Sequence, residues 1–212
     1  MKEYPSIASS TGQRFREIPH AYVFDKLDGS NLRIEWSKKQ GWHKFGTRTR
    51  LFDASDPDFG EAIPIFQRTL GMPMANVLHG EQIDRAVLFC EFWGAKSFAG
   101  KHEKGDLKCM TLFDIAVHKR GIVGPKEFLR LTKKLTYPLV PKFLGQFNWT
   151  RSFVQEVREG MFGSMVTYEG VVGKAGDGKT HDLVMAKAKT KVWIDAVLSQ
   201  YGAAEGQKIV ES

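Results

Sequence analysis

The chain has 212 residues, and its apolar fraction of 42% and charged fraction of 26% are those of an ordinary globular protein of one domain or two small ones. Its net charge of +7 suits a polyanionic partner such as a nucleotide or a nucleic acid. The two cysteines form no CxxC pair, which argues against a disulfide scaffold or a cysteine zinc site, and no apolar run predicts a signal peptide or a membrane span. We therefore expect a soluble intracellular protein.

Strands dominate the predicted first half of the chain. Leu32, Ile34 and Trp36 alternate with polar residues, which is typical of a strand with one buried face. Residues 56–84 contain three prolines and predict short helices that are broken at them. The strands predicted before residue 120 are 21–24, 32–36, 42–45, 86–93 and 110–117.

The second half combines helices with a hairpin. Pro125 stands at the first position of a predicted helix, where the N–H that proline lacks is not needed. Residues 175–178 predict a tight turn between two alternating segments. Helices are predicted over 125–135, 150–160 and 191–200, and strands over 165–172 and 182–189. The fold class that follows is α+β with mostly antiparallel sheets and flanking helices, in a single domain over residues 1–212.

Residues 173–180 match the P-loop pattern GxxxxGK[ST], but they lack the context that the pattern requires. A P-loop follows a strand and begins a helix whose N-terminus faces phosphate. The residues after Thr180 alternate like a strand, and too few remain for the rest of a P-loop sheet. We interpret the segment as a basic, glycine-rich hairpin, whereas a true P-loop protein would depend on Lys179.

The segment Lys26-Leu27-Asp28-Gly29-Ser30-Asn31 lies between two predicted strands, and its glycine permits a tight turn. A lysine on such a turn can be presented to a phosphate. It becomes a nucleophile when it loses its proton, which nearby positive charge favours. Taken alone, such a segment is more often a surface lysine beside a β-turn.

Charged side chains recur on the later strands. Glu91 ends an apolar strand, where a charge is costly unless it is paired or functional. Glu169 lies in a predicted strand and should share a face with Val171. Lys187 and Lys189 are two residues apart on a strand, so both point to one face and can bind phosphate. The alternative for these lysines is an edge strand protected against aggregation.

Taken in chain order, these segments resemble the motifs of the covalent nucleotidyltransferases, which are ATP-dependent DNA ligases, RNA ligases and mRNA capping enzymes. The residues that carry the resemblance are Lys26-Leu27-Asp28-Gly29 (motif I), Thr47-Arg48-Thr49-Arg50, Cys90-Glu91-Phe92-Trp93-Gly94 (motif III), Leu112-Phe113-Asp114-Ile115 (motif IIIa), Tyr168-Glu169-Gly170-Val171-Val172 (motif IV) and Met185-Ala186-Lys187-Ala188-Lys189 (motif V). The resemblance spans roughly residues 20 to 193.

The resemblance implies a nucleotide site that centres on Lys26, which becomes covalently linked to AMP. Asp28 and Gly29 would lie beside the bound nucleotide. Lys187 and Lys189 would contact the α-phosphate and would also lower the pKa of Lys26 through their positive charge.

The resemblance also implies contacts to the rest of the nucleotide. Arg48 would bind substrate or nucleotide phosphate, with Arg50 as the alternative, unless both belong to a solvated basic strand. Glu91 would accept a hydrogen bond from a ribose hydroxyl, and Phe113 would stack on the purine unless it is only a core residue. Glu169 would help to hold Mg²⁺ or Mn²⁺, because such ions prefer oxygen ligands.

The activity implied is that of an ATP-dependent polynucleotide ligase, which joins 5′-phosphate and 3′-hydroxyl ends. Asn31 stands where DNA ligases more often have arginine. It favours the RNA ligase branch of the nick-sealing type, in which an asparagine here acts in end joining; DNA or mixed RNA/DNA ends remain open. The implied substrate is a nicked or bridged duplex. The implied protein is a monomer in the cytoplasm, or in the host cytoplasm if it is viral.

The implied fold is an ATP-grasp-like ligase adenylyltransferase domain without an OB domain, because too few residues follow Lys189 to form one. Nucleic acid would then bind the basic surface of this domain. The candidates for that surface are Lys96, Lys101, Lys104, Lys108, Lys119 and Arg120, which could also be a plain solvated face. The alternative functions are a capping guanylyltransferase that uses GTP and a non-catalytic nucleic-acid-binding module.

Overall fold

Two largely antiparallel sheets carry the fold, as a computed structural model that describes residues 2–10, 15–95, 105–178 and 182–211 shows. The strands are β1 (Ala8–Ser9), β2 (Ile18–Lys26), β3 (Ser30–Ser37), β4 (Gly41–Gly46), β5 (Leu51–Phe52), β6 (Arg85–Trp93), β7 (Cys109–Val117), β8 (Gly121–Ile122), β9 (Phe143–Trp149), β10 (Gly170–Ala175) and β11 (Val184–Lys189). The helices are α1 (Ala62–Phe66), α2 (Met72–Gly80), α3 (Pro125–Leu131), α4 (Arg151–Arg158) and α5 (Lys191–Glu211). The predicted α+β class is confirmed.

The larger sheet has the strand order β5-β4-β3-β6-β7-β8, and its neighbouring strands are antiparallel. One face packs against the helical segment that precedes β6. Ile34, Leu88 and Leu112 of the sheet and Phe66 and Leu78 of the helices are fully buried in one core. Burial of a side chain of this size contributes about 1.5–3 kcal/mol, so this core holds the larger sheet and the helices together.

The smaller sheet has the strand order β1-β11-β10-β2-β9, in which β1 runs parallel to β11 and the other neighbours are antiparallel. Its separate core is built from strand residues such as Trp149 and Val171 and from Phe153 and Val157 of α4. Thr150 begins this helix, because its side chain accepts a hydrogen bond from the backbone N–H of Phe153 at 3.1 Å. The helix thereby presents its apolar residues to the sheet.

The short turn between β2 and β3 crosses from the smaller sheet to the larger one. β2 ends at Lys26 in the smaller sheet, and β3 begins at Ser30 in the larger sheet. A Cβ at Gly29 would lie 2.4 Å from the carbonyl oxygen of Phe92. Only glycine allows the turn to approach β6 this closely, and Lys26 is therefore placed where the two sheets meet.

The helical segment before β6 differs from its prediction. α1, a π-helical turn (Gln67–Gly71) and α2 follow one another without a break, although Pro64 and Pro73 lie within them. Pro64 is the third residue of α1 and Pro73 the second of α2. Pro64 lies in the first turn of the helical run, where the missing N–H costs little, and Pro73 directly follows the π-helical turn, where the α-helical hydrogen-bond pattern is already interrupted. The prediction that the helices break at these prolines was therefore wrong.

Two strands also differ from expectation. β3 is buried on both faces, since Arg33 and Glu35 are 6% and 7% exposed, respectively. Their charges are satisfied by the carbonyl of Thr47, to which Arg33 donates at 2.7 Å, and by ion pairs of Glu35. β9 was not predicted, because Gly145, with φ of +123°, lies at a shift in strand register and interrupts the alternation.

The glycine-rich segment forms a hairpin, as predicted. Gly173 and Lys174 lie within β10, and the chain returns antiparallel as β11 rather than as a helix. Lys179 and Thr180 fall outside the described residues. In the part of the chain that is described, no helix is both long and apolar enough to cross a membrane.

We predict that Gly173→Ala destabilises the smaller sheet. A Cβ at this position would lie 2.4 Å from a ring carbon of Trp149, which is fully buried and cannot retreat. Overpacking of this kind costs about 1–3 kcal/mol, and urea unfolding followed by circular dichroism measures it. Gly80→Ala is the matched control, because the last residue of α2 has open space around its Cβ. Equal midpoints for the two variants would contradict the prediction.

Candidate active site

A cavity of about 560 Å³ lies where the two sheets meet. The ten residues that the sequence predicts for the site all line this cavity: Lys26, Asp28, Gly29, Asn31, Arg48, Glu91, Phe113, Glu169, Lys187 and Lys189. Six of them lie in strands of the two sheets, Asp28 and Gly29 lie in the turn that joins the sheets, Arg48 lies in the turn between β4 and β5, and Glu169 directly precedes β10. The structure therefore gathers in one place side chains that are spread over most of the chain.

Strand register brings two of the lysines together. On β10, Gly170 pairs with Lys26 of β2 on one side and with Lys189 of β11 on the other. Gly170 has φ of +151°, and a Cβ there would lie 2.1 Å from the carbonyl oxygen of Ala188. The glycine after Glu169 is thus required by space and by backbone conformation.

Glu169 lies between these two lysines. Its Oε2 is 2.6 Å from the Nζ of Lys26, and its Oε1 is 3.2 Å from the Nζ of Lys189. The glutamate is 4% exposed. A buried carboxylate is stable only when its charge is balanced, and here both of its oxygens face an ammonium group.

Glu169 does not lie in a strand, contrary to the prediction for residues 165–172, because β10 begins at Gly170. Asp25 accepts hydrogen bonds from the backbone N–H of Thr167 at 2.9 Å and from its hydroxyl. These bonds hold the chain before β10 out of the sheet. The direction of the Glu169 side chain is therefore set by these bonds in the segment before β10, and not by strand alternation with Val171.

The expected lowering of the Lys26 pKa is also wrong. Burial by itself would lower this pKa, but the nearby carboxylates of Glu169, Glu91 and Asp28 outweigh burial and raise it above the ordinary value. The two lysines of β11 do not reverse the balance. With these carboxylates beside it, Lys26 keeps its proton at neutral pH.

Two carboxyl groups have pKa values near neutrality. Burial, with the charge of Glu169 as a further cause, raises the pKa of Glu91 to about 8 and that of Asp28 to about 7. The backbone N–H of Gly29 donates to Glu91, and the indole N–H of Trp193 donates to Asp28 at 2.9 Å. Both groups are therefore poised to change protonation when the charge in the cavity changes.

The two lysines of β11 have the opposite shift. Burial, with the charge of Lys189 as the next cause, lowers the pKa of Lys187 to about 8, and burial also lowers the pKa of Lys189. Lys187 donates to the carbonyl of Glu211 at 3.4 Å, and Lys189 to that of Ile209 at 3.2 Å. The backbone of α5 is non-helical at Gly202, with φ of +77°, and these carbonyls belong to the last turn of the helical segment after it, at the negative end of that segment's dipole.

Arg48 and Arg50 both line the cavity, at the turn between β4 and β5. Arg50 forms an ion pair with Asp56, and its guanidinium lies 5.8 Å from the ring centre of Phe59. The charge of Arg48 reaches Lys187 and is one of the causes of its lowered pKa. This placement favours Arg48 as the phosphate contact, which stays a prediction.

A β-bulge directs Phe113 towards the cavity. Leu112 and Asp114 pair with consecutive residues of β6, so Phe113 is the extra residue between them. Bulges of this kind re-aim side chains beside active sites. Leu112 packs in the main core, whereas Phe113 is half-buried and meets the ring of Tyr4 edge-on at 5.0 Å. A half-buried aromatic ring that lines the cavity is available for stacking, and this role stays a prediction.

Lys174 was missed by the sequence reading. It is 4% exposed and lines the cavity beneath Phe113, whose carbonyl accepts from its Nζ at 2.9 Å. Its Nζ is also 2.8 Å from Oδ1 of Asp114, and Tyr4 donates to Oδ2 of the same carboxylate at 2.5 Å. The only sequence signal was its position two residues beyond Val172 on the same strand face.

The candidate basic surface is only partly described. Lys96, Lys101 and Lys104 lie outside the described residues. Of the others, Lys108 pairs with Glu61, Arg120 donates to Glu127, and Lys119 is exposed in the turn before β8. A role in binding nucleic acid stays a prediction for all six.

Comparison with known proteins places the chain beside polynucleotide ligases. The sequence profile of the family described as RNA ligase matches residues 19–189. Among curated proteins, the comparison finds no match. The matched region contains every residue that the sequence predicts for the site.

Solved structures share the fold. A protein from Aquifex aeolicus that is named as a candidate ATP-dependent DNA ligase is similar over 100% of this chain and 58% of its own, with a TM-score of 0.65 and 19% identity. A Naegleria gruberi RNA ligase is similar over 84% and 51%, with a TM-score of 0.59 and 22% identity. An archaeal ATP-dependent RNA ligase is similar over 94% and 51%, with a TM-score of 0.64 and 16% identity. The chain thus spans little more than half the length of these proteins.

We predict that Lys174→Met strongly destabilises the protein. The substitution leaves the charge of Asp114, which is 1% exposed, without its ammonium partner. Breaking a buried ion pair in this way costs about 3–5 kcal/mol, which urea unfolding measures. The double variant Lys174→Met/Asp114→Asn should recover part of the loss. Arg130→Met breaks an exposed pair with Glu81 and should change little. A loss as small as that of the control would refute the prediction.

We predict that the free energy of unfolding falls as pH rises from 4.5 to about 8, in part through Glu91. Over this interval the folded protein keeps a proton that the unfolded chain has released. The contribution is therefore full at low pH and is lost as pH passes the folded pKa. Glu91→Gln should flatten the dependence in urea titrations at several pH values, and the exposed Glu156→Gln should not. An unchanged slope in Glu91→Gln would contradict the raised pKa.

Proposed function

The chain belongs to the RNA ligase family, and we propose that it is an ATP-dependent polynucleotide ligase that works through a covalent Lys26–AMP intermediate. The observation that carries this proposal is the gathering of Lys26, Glu169, Lys187 and Lys189 in one cavity. A nucleophilic amine, an acidic residue beside it and two further ammonium groups are what transfer of a nucleotidyl group requires.

In the first step, the Nζ of Lys26 attacks the α-phosphorus of ATP. The new bond is P–N, and the bond that breaks joins the α-phosphorus to the oxygen of the leaving pyrophosphate. Lys187 and Lys189 stabilise the charge that develops on the α-phosphate oxygens. Before the attack Lys26 must lose a proton, and the Oε2 of Glu169, 2.6 Å from the Nζ, is placed to receive it.

A divalent cation fits beside Glu169. Mg²⁺ is commonly held by one or two carboxylates together with substrate phosphates, and Glu169 is a buried carboxylate in the cavity. Bound Mg²⁺ or Mn²⁺ would neutralise phosphate charge and favour the uncharged amine of Lys26. The Naegleria gruberi neighbour was solved with ATP and manganese, which supports ATP and a divalent metal for this chain.

Phosphate binding requires an exchange at the end of α5. The carbonyls of Ile209 and Glu211 accept hydrogen bonds from Lys189 and Lys187. A phosphate held by both ammonium groups takes the place of these carbonyls. Charge-assisted bonds to phosphate are stronger than bonds to a neutral carbonyl, so the exchange favours the nucleotide.

The other residues of the cavity bind the rest of the nucleotide. Phe113 stacks on the purine, Glu91 accepts from a ribose hydroxyl and Arg48 holds a phosphate. Asp28 and Gly29 lie beside the bound nucleotide, where Gly29 allows close approach of the backbone.

In the second step an oxygen of the 5′-phosphate attacks the phosphorus of the Lys26–AMP adduct, the P–N bond breaks and the Lys26 amine leaves. In the third step the 3′-hydroxyl attacks the 5′-phosphate, a phosphodiester forms and AMP leaves. Asn31 serves these later steps. We propose RNA ends in a nicked or bridged duplex as the substrate, with DNA or mixed ends as the alternative, and a monomer as the working form. The description of the matching family as RNA ligase supports RNA.

We predict that the protein, incubated with Mg²⁺ and ATP, gains the mass of one AMP, and that Lys26→Ala abolishes this gain completely. The reason is that the proposal assigns the phosphoramidate bond to the Nζ of Lys26 alone. Intact-mass spectrometry measures the adduct after pyrophosphate treatment has removed any AMP carried from expression. Lys191→Ala is the matched control, an exposed lysine next to the site, and should react like the wild type.

The same assay separates the alternatives. An adduct from GTP in place of ATP would identify a capping guanylyltransferase. Transfer to Lys179, read from a loss in Lys179→Ala and retention in Lys26→Ala, would overturn the assignment of the nucleophile. No adduct from either nucleotide would refute the ligase proposal and leave a binding module.

A further inference from the structure

Trp193 lies outside the region matched by the family profile, yet it contacts two residues of the site. It is in the first turn of α5, is 2% exposed and lines the cavity. Its indole N–H donates to Oδ2 of Asp28 at 2.9 Å. The Nζ of Lys189 lies 4.3 Å from the ring centre, within the range of a cation–π contact.

The orientation of Trp193 is fixed by the residue that begins its helix. The hydroxyl of Thr190 accepts a hydrogen bond from the backbone N–H of Trp193 at 3.2 Å and donates to the carbonyl of Tyr168 at 2.9 Å. The backbone N–H of Thr190 also donates to the carbonyl of Glu169 at 2.9 Å. The start of α5 is thereby tied to the segment that carries Glu169, and the indole has a defined place beside it.

Each contact of Trp193 restrains a different part of the site. Asp28 lies in the tight turn two residues after Lys26, so holding its carboxylate holds the turn that presents the amine. Lys189 lies between the face of the indole and Oε1 of Glu169, which is 3.2 Å from its Nζ. One side chain therefore limits the movement of both the nucleophile's turn and a phosphate-binding lysine.

We propose that Trp193 is a positioning residue for the first step, in which its N–H orients the turn of Lys26 through Asp28 and its ring orients Lys189. This inference rests on the proposed nucleotidyl transfer. The two contacts use different parts of the side chain. Phenylalanine keeps a ring for Lys189 but has no N–H for Asp28, and leucine offers neither.

The test measures adduct formation in a single turnover with ATP and Mg²⁺. In Trp193→Phe the rate at saturating ATP should fall about tenfold, the effect of losing one buried hydrogen bond. The ATP concentration that gives half the maximal rate should stay within about twofold, because the ring remains. In Trp193→Leu half-saturating ATP should also rise, by about fivefold or more, because Lys189 loses its cation–π contact.

Trp149→Phe is the matched control for loss of a buried indole. Trp149 is fully buried and donates to Ser10 at 3.0 Å, but it does not line the cavity. Urea unfolding should reveal comparable destabilisation in the two phenylalanine variants, with the slow adduct formation confined to Trp193→Phe. Equal rates for Trp149→Phe and Trp193→Phe would overturn the inference. Absence of an adduct in the wild type would instead refute the proposed function.

A second measurement does not depend on a folded Trp193 variant. In the ¹⁵N-labelled protein, the indole N–H of Trp193 should be protected from hydrogen exchange by its bond to Asp28. Asp28→Ala removes the acceptor, so exchange of this proton should accelerate about tenfold or more, while the indole of Trp149 exchanges as before. Unchanged exchange at Trp193 in Asp28→Ala would overturn the coupling.

Discussion

The site depends on one buried carboxylate that two ammonium groups share. Glu169 faces Lys26 on one side and Lys189 on the other, at 2.6 and 3.2 Å. Each of these charges would be costly alone in a buried cavity, and together they compensate one another. The arrangement exists because Gly170 pairs with both lysines on neighbouring strands and has no side chain to separate them. The register of three strands thus brings together the residues that would do the chemistry.

The charges around this centre are held away from their ordinary protonation behaviour. The pKa values of Glu91 and Asp28 are raised mainly by burial, and that of Lys187 is lowered mainly by burial. Raised pKa values of carboxyl groups beside a lowered pKa of a lysine are typical of catalytic centres. Arrival of an anionic nucleotide with a divalent cation would change the pKa of each group, and we interpret these shifted pKa values as preparation for a change of charge in the cavity.

Features of the site that depend on neighbouring residues could be predicted from the sequence, whereas features that depend on contacts between distant segments could not. The lysines of β11 were predicted to share a face because strand alternation is local, and both line the cavity. The raised pKa of Lys26 was not predictable, because Glu169 and Glu91, which raise it, are brought beside Lys26 only by the folding of distant segments of the chain. The uninterrupted helices at Pro64 and Pro73 escaped prediction, because the position of a proline within a helix depends on where the helix begins.

The sequence by itself determined the turn with Lys26 and Gly29, the ordered motifs and the α+β class, because each is encoded in a few neighbouring residues. Only the tertiary structure decided what those residues meet. It placed Glu169 before its strand through Asp25 and Thr167, and it brought Trp193 to residues far from it in the chain. Such contacts depend on the register and packing of the two sheets. Register and packing are fixed only when both cores form, so no pattern of neighbouring residues predicts them.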